Sequence, residues 1–451
     1  MSGDNSYAGV ITSWSGLRTK MDVKDGIKFF FRLGVSIGKK LEGDFFLGHD
    51  TRKSSAPFAD ALASGLASTG MQVTVCGICP VFVVSYLVSK RLADFGLMVT
   101  ASHNPPEWNG LKLFGPSGVI VDGATISSIS SDAFKSDATP ELKRFERAQD
   151  MQEEYVRGLR SELHQLRLSV KGIKVAVDAG NGASAALSRS TLEAAGANVV
   201  AINQDMDGTF HRTIEPKVES LSRLGETVRS SKCDFGMGYD CDGDRAVLAD
   251  ETGRVLREDM TLLASLRCLL DCIDTSFVVN CASSSAFSDL AHAMGRDLFV
   301  SNVGERNVVL KMREKGALLG GEGSSGGVIY SNLAATRDGI LATMAIAALV
   351  REAGPIGPIV RPYLKYHERR VSVPFPSSAD ERKVLSSLRD TFSEVRCEEW
   401  DGLKFFEADG WALVRASRTE PVIRVIAEAL SDDRARGLAD KYSSALRKLL
   451  R

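Results

Sequence analysis

Three related α/β domains followed by a smaller α+β domain is the fold class this sequence predicts, and three observations predict it. A strand–loop–helix–strand pattern recurs at residues 44–75, 173–202 and 276–301, roughly 100 to 130 residues apart. Beyond Pro362 the texture changes to alternating apolar and polar residues. A chain of 451 residues is also too long for one core.

Taken in order, the chain opens with a Ser/Gly-rich turn, SWSGLRTK at residues 13–20, in which Arg18 suits a phosphate clamp. Residues 44–48 (DFFLG) read as a short buried strand and 49–55 as a polar loop. Residues 56–68 place Phe58, Leu62 and Leu66 at helical spacing, and 71–75 return as a strand. Parallel strands need such a crossover. The apolar run 95–99 predicts another strand, which feeds the stretch TASHNPPEWNGLKLF at residues 100–114. Its turn-rich composition puts Ser102 on a loop at a strand end, a candidate nucleophile. The second unit predicts strands at 173–178 and 198–202 around a helix at 183–195; the third, strands at 276–280 and 297–301 around a helix at 284–294.

Boundaries are expected near residue 150, in the charged, helix-like tract 141–160; near 253, in the turn at 250–253; and near 362, in a stretch with three prolines. These give domains 1–150, 151–253, 254–362 and 363–451. The last should hold a strand at 370–374, a helix at 380–392, strands around Lys404 and Trp411, and a closing helix from Asp432.

Composition narrows the function classes. The 56 basic residues nearly cancel 57 acidic ones, so no global field draws the chain to nucleic acid or an anionic membrane. No apolar run approaches the roughly 18 to 20 residues of a membrane span, and no signal pattern opens the chain, so a cytoplasmic address is expected. The eight cysteines lack zinc-site spacing and read as reduced core thiols.

Three further motifs carry chemistry. In GYDCDGDR at residues 238–245, Asp240, Asp242 and Asp244 can converge on one hard cation. A calcium loop would want glycine where Arg245 stands and flanking helices where strands are expected, so Mg²⁺ is the predicted ion. Arg245 beside it suggests an anionic substrate bridging the two charges. In LGGEGSSGG at 319–327, Glu322, Ser324 and Ser325 stand among five glycines, suiting a polyol or sugar. The P-loop lysine is missing, which argues against ATP. In RASRTEPVIR at 415–424, Arg415, Ser417, Arg418, Thr419 and Arg424 make a cradle for a phosphate dianion.

Together, TASHNP, DCDGDR, GEGSSGG and RASRTEP, in this order across the whole chain, resemble the phosphoserine, metal, sugar and phosphate loops of the α-D-phosphohexomutase superfamily. Weaker echoes are SGLR at 15–18, GHDTRKSS at 48–55, DAGNGA at 178–183, DGTF at 207–210 and RDG at 337–339. The resemblance implies four domains around a central cleft, and a phosphoryl group on Ser102 held with Mg²⁺ by Asp240, Asp242 and Asp244. It implies a hexose 1,6-bisphosphate as intermediate and activator. Arg18 and Arg245 would neutralise charge, and Lys112 would serve as general acid/base with His103 behind it. The sugar loop is one residue longer than the common form, so either Ser324 or Ser325 could meet the sugar. The expected substrates are mannose or glucose phosphates, with glucosamine phosphate as the alternative. A phosphatase and a non-catalytic sugar-phosphate sensor are the readings from other classes. The expected partner is a phosphosugar, with no nucleic acid or membrane, and the chain should be a monomer or homodimer.

Overall fold

The computed structural model describes residues 10–13, 16–141, 143–148, 150–376, 380–417 and 421–450. Its strands form four sheets. The first has seven strands in the order Val10–Ser13, Gly16–Thr19, Asn109–Phe114, Phe95–Val99, Asp44–His49, Gln72–Ile78, Glu146–Arg147. Phe95–Val99 and Gln72–Ile78 both run parallel to Asp44–His49, the latter through the Ser55–Ala67 crossover helix. That helix and Val23–Lys40 lie backbone to backbone at two glycines. A Cβ on Gly34 would stand 2.3 Å from the Leu62 carbonyl oxygen, and one on Gly65 would stand 2.1 Å from that of Phe31. Only glycine allows this approach.

The second sheet orders Ala246–Ala249, Phe235–Tyr239, Lys174–Asp178 and Asn198–Ile202, and the third Leu298–Ser301, Phe277–Asn280, Leu319–Gly321, Val328–Tyr330 and Ala334–Asp338. The fourth is antiparallel throughout: His367–Pro374, Val422–Ala429, Gly410–Ala416, Gly402–Glu407 and Arg396–Trp400, with helices Glu381–Thr391 and Asp432–Leu449. The predicted class, three α/β units and an α+β unit, is the observed one. A continuous core containing Phe82, Tyr155, Phe235, Phe277 and Ile340 links the first three units.

Two predicted elements differ. The helix expected at 183–195 is a 3₁₀ turn, Ala183–Ala186, and a short α-helix, Ser188–Ala194. Leu187, at φ −125°, breaks the run, and the Ala183 N–H, which has no acceptor within a helix that starts there, donates to the Cys241 carbonyl at 2.7 Å. Among the described residues of the tract 141–160, helix begins only at Met151. Glu146–Arg147 instead pairs with Gln72–Ile78 as an edge strand of the first sheet. Six of the eight cysteines are buried; Cys272 is exposed and Cys397 half-buried. Among the described residues no single helix is long and apolar enough to cross a membrane.

Three parallel strands end where the sequence motifs begin. Phe95–Val99 leads to Ser102, Phe235–Tyr239 to Asp240, and Leu319–Gly321 to Glu322. Carboxyl ends of parallel strands are where α/β proteins place their ligands.

Candidate active site

Ser102 sits in a tightly specified loop. It is buried and holds a left-handed backbone, φ 49°, uncommon for a residue with a side chain. Its N–H donates to Thr100 Oγ1 at 2.8 Å, and Thr100 Oγ1 donates to Asp50 Oδ2 at 2.8 Å. Arg52 donates to three loop carbonyls, those of Ser102 (2.7 Å), Asn104 (2.7 Å) and Pro105 (2.6 Å), while its Nε pairs with Asp50 Oδ2 at 3.0 Å. Burial would raise the Asp50 carboxyl, but Arg52, Ser55 and Thr100 together hold it below the ordinary value. Arg18 Nη1 adds a bond to the Thr100 carbonyl at 3.1 Å.

The loop faces the metal motif. Ser102 Oγ donates to Asp240 Oδ2 at 3.0 Å and lies 3.3 Å from His103 Nδ1. Burial, then the nearby Arg245 and Arg18, push His103 far below its ordinary value, so the ring is neutral.

Gly243, at φ 76°, folds the metal loop so that carboxylate oxygens of Asp240, Asp242 and Asp244, all buried, lie within 4.8 Å of one another. Burial and the charges of Asp242 and Asp244 push Asp240 well above the carboxylate range; Arg337, Lys112 and Arg245 overcome burial at Asp244 and hold it low. Lys112 Nζ stands 2.7 Å from Asp244 Oδ2 and 2.8 Å from Asp242 Oδ2, the latter a charge contact without hydrogen-bond geometry. Burial opposes the Lys112 ammonium, yet these two aspartates raise it overall. Arg245 donates from its backbone to Asp240 Oδ1 at 3.2 Å and from its side chain to Glu215 at 2.8 Å.

The donor set fits a hard divalent cation. Asp242 Oδ1 and Asp244 Oδ1 are buried oxygens with no hydrogen-bond partner among the described residues, a costly state that a cation would relieve. A helix–loop–helix calcium site does not fit. Strands flank the loop on both sides, and Glu251, the residue at its twelfth position, is turned to the Gly357 N–H at 2.8 Å.

The sugar motif abuts the metal loop, and here the glycines serve the protein backbone itself. A Cβ on Gly326 would lie 1.9 Å from the Ala246 carbonyl oxygen, and one on Gly327 would lie 2.0 Å from that of Asp244. Glu322 Oε1 accepts from Asn280 Nδ2 and the Gly304 N–H, each at 2.8 Å, and Oε2 faces Arg337 Nη1 at 3.2 Å. Ser325 is buried and donates to the Glu322 carbonyl at 3.0 Å, whereas Ser324 is exposed.

In the fourth sheet Arg415 is engaged by Asp401 Oδ2, at 2.8 Å from Nε. Arg424 is its cross-strand neighbour, and the Ser417 N–H donates to the Val422 carbonyl at 2.8 Å. Arg418 and Thr419 lie outside the described residues.

The structure therefore brings Ser102, His103, Lys112, Arg18, Arg245 and the three aspartates into one cluster, and ties Glu322 to it. It also adds Arg52, Asn280 and Arg337, and Glu305, whose Oε2 lies 2.9 Å from Arg337 Nε. Arg52 and Arg337 stand in GHDTRKSS and RDG, where their residue types gave no hint of partners so distant in sequence.

Four family descriptions match this chain consecutively: phosphoglucomutase/phosphomannomutase alpha/beta/alpha domain I at residues 11–140, domain II at 153–253, domain III at 259–365 and the C-terminal domain at 375–444. The chain belongs to the phosphoglucomutase/phosphomannomutase family. Relatives in that family include a protein of Methanothermobacter thermautotrophicus named a probable phosphoglucosamine mutase, 33% identical over 91% of each chain. Another is a phosphoglucomutase/phosphomannomutase of Thermococcus kodakarensis, 32% identical over 91% of this chain and 92% of its own. A crystal structure of a family protein from Burkholderia thailandensis shares the fold at a TM-score of 0.83 and 22% identity, covering 97% of this chain and 96% of that one.

Proposed function

We propose that this chain is a phosphohexomutase, an isomerase that interconverts hexose 1-phosphate and hexose 6-phosphate through a phosphorylated Ser102 and a hexose 1,6-bisphosphate. The observation that supports this most is the Ser102 hydroxyl, 3.0 Å from Asp240, on a loop pinned through its carbonyls and facing three buried carboxylates. Asp240, Asp242 and Asp244, with the Ser102 phosphoryl group, would hold the ion. When bound, Mg²⁺ supplies charge neutralisation at the transferring phosphoryl group.

The chain's own residues do the rest. A sugar hydroxyl oxygen bonds to phosphorus as the Ser102 Oγ–P bond breaks, and the hydroxyl proton ends on Oγ, which then donates to Asp240 as observed. His103 Nδ1, 3.3 Å from Oγ, is within reach of that proton. Lys112, expected as the acid/base, is better placed as a counter-ion between Asp242 and Asp244. Arg18 and Arg245 add positive charge where the phosphoryl group passes. Arg415, Ser417 and Arg424, with Arg418 and Thr419, would hold the phosphate not being transferred, in both orientations of the bisphosphate. Ser324, exposed, rather than Ser325, would meet the sugar beside Glu322. Four domains with limits near residues 150, 253 and 362, a cytoplasmic address and a monomeric or homodimeric state complete this reading.

Mannose or glucose phosphates are the first substrates to test. Glucosamine phosphate is the second reading, favoured by the name of the Methanothermobacter relative. Initial rates on the three 1-phosphates, side by side with Mg²⁺, test both. Mutase turnover with one clear preference, lost in Glu322→Ala, is expected. Steady release of inorganic phosphate at a rate comparable with turnover would mean a phosphatase instead.

A further inference from the structure

Arg337 is a buried guanidinium with three carboxylates around it, each from a different part of the chain. Its Nη2 is 2.8 Å from Asp244 Oδ2 in the metal loop, and its Nη1 is 3.2 Å from Glu322 Oε2 in the sugar loop. Its Nε and backbone N–H both reach Glu305 Oε2, at 2.9 and 3.1 Å, at the start of helix Glu305–Lys315. We infer that Arg337 is a positioning residue that couples the metal loop to the sugar loop, so that divalent-cation affinity and hexose-phosphate affinity depend on each other. This rests on the mutase reading.

The reason is the rigidity and charge of the group. A guanidinium is a planar fork, so a shift at one pair of N–H groups is carried to the others. Asp244 Oδ2 is already shared between Arg337 and Lys112, while Asp244 Oδ1 has no hydrogen-bond partner among the described residues. A cation drawn to Asp244 takes up part of the charge that holds Nη2, which leaves the guanidinium more firmly on Glu322 and Glu305. Glu322 has its other oxygen fixed by Asn280 and Gly304, so its orientation toward a sugar hydroxyl then depends on Arg337. Glu305 anchors the fork without belonging to either loop. By linkage, whatever the cation does for sugar binding, the sugar does equally for cation binding.

The test is Mn²⁺ binding to the full chain, read from the electron paramagnetic resonance of free Mn²⁺, with and without saturating glucose 6-phosphate. Native protein, Arg337→Lys and Glu305→Gln are compared. Lysine keeps the charge but cannot span three carboxylates, and glutamine keeps the shape of the anchor. In the native chain glucose 6-phosphate should tighten Mn²⁺ binding by about fivefold or more, within the usual range of coupling between sites. In both variants the factor should fall below about twofold. A purely structural role would weaken each ligand separately and leave the ratio unchanged. That result, or a native ratio near one, overturns the inference while leaving the mutase reading standing. A native chain that binds neither Mn²⁺ nor glucose 6-phosphate would sink both.

Discussion

Replacing Arg52 by methionine removes the charge at the base of the Ser102 loop while keeping much of the side-chain bulk. The native Arg52 side chain is fully buried, as is its partner Asp50, 3.0 Å away. Loss of the guanidinium leaves a buried carboxylate without its counter-ion and three loop carbonyls without their donor. Breaking one side of a buried ion pair costs about 3–5 kcal/mol. Amide exchange in the strands Phe95–Val99 and Asn109–Phe114, which flank the loop, reads this directly. At about 1.36 kcal/mol per decade, exchange that follows opening of the first unit should speed up by roughly 2.2 to 3.7 decades. Arg52→Met combined with Asp50→Asn should recover part of the loss, because no charge is then stranded. Native Asp50 lies below its ordinary value, so its stabilisation is present above pH 3.8 and lost as pH falls through the folded value. In Arg52→Met the sign reverses: burial raises the carboxyl, and stability improves as pH falls toward 4. Exchange slowed by less than tenfold relative to this expectation is tolerable; exchange unchanged from native, or a double variant as damaged as the sum of the singles, would refute the ion-pair account.

Two further outcomes follow from individual contacts. Burial holds the Asp338 carboxyl up at about 6, against its ordinary 3.8, although it accepts from Tyr155 Oη at 2.6 Å and the Leu341 N–H at 2.8 Å. A raised folded value means that stability is full below pH 3.8 and is lost as pH rises through 6. Asp338→Asn should therefore remove about 2 kcal/mol of the native stability difference between pH 4.5 and 7 in urea unfolding; an unchanged pH slope would contradict it. Ser324→Ala should raise KM for the hexose phosphate several-fold at unchanged stability, whereas Ser325→Ala should cost about 1 kcal/mol of stability by removing its bond to the Glu322 carbonyl. Equal KM effects with no stability difference would contradict this division of roles.

How far the sequence reached depended on whether a feature was local. Strand-and-helix alternation and apolar spacing are local, so all three crossover units and the four-part architecture could be read from residues 44–75, 173–202, 276–301 and the stretch beyond 362. The loop positions of Ser102 and the three aspartates could be read because each motif is a single short loop at a strand end. Arg337 and the grip of Arg52 on the Ser102 loop could not, because those partners lie far along the chain. Arg337 and Asp244 are 93 residues apart, and Lys112 and Asp244 are 132. Lys112 shows the same limit from the other side. Its presence near Ser102 was expected, but its place between two metal-loop carboxylates belongs to the packing of one sheet against the next. The helix expected at 183–195 shows the same limit: apolar spacing runs through the whole stretch, but the backbone leaves the helical region at Leu187, between the 3₁₀ turn and the α-helix.

The mutase cycle requires Ser102 to carry the phosphoryl group in transfer to and from sugar. Intact mass before and after incubation with glucose 1,6-bisphosphate and Mg²⁺, with Ser102→Ala alongside, tests it most directly. A gain of one phosphoryl group in the native chain, absent from Ser102→Ala and lost again on adding hexose phosphate, is the predicted result. A native chain that takes up no phosphoryl group under these conditions would contradict the account and leave the four loops as a binding site.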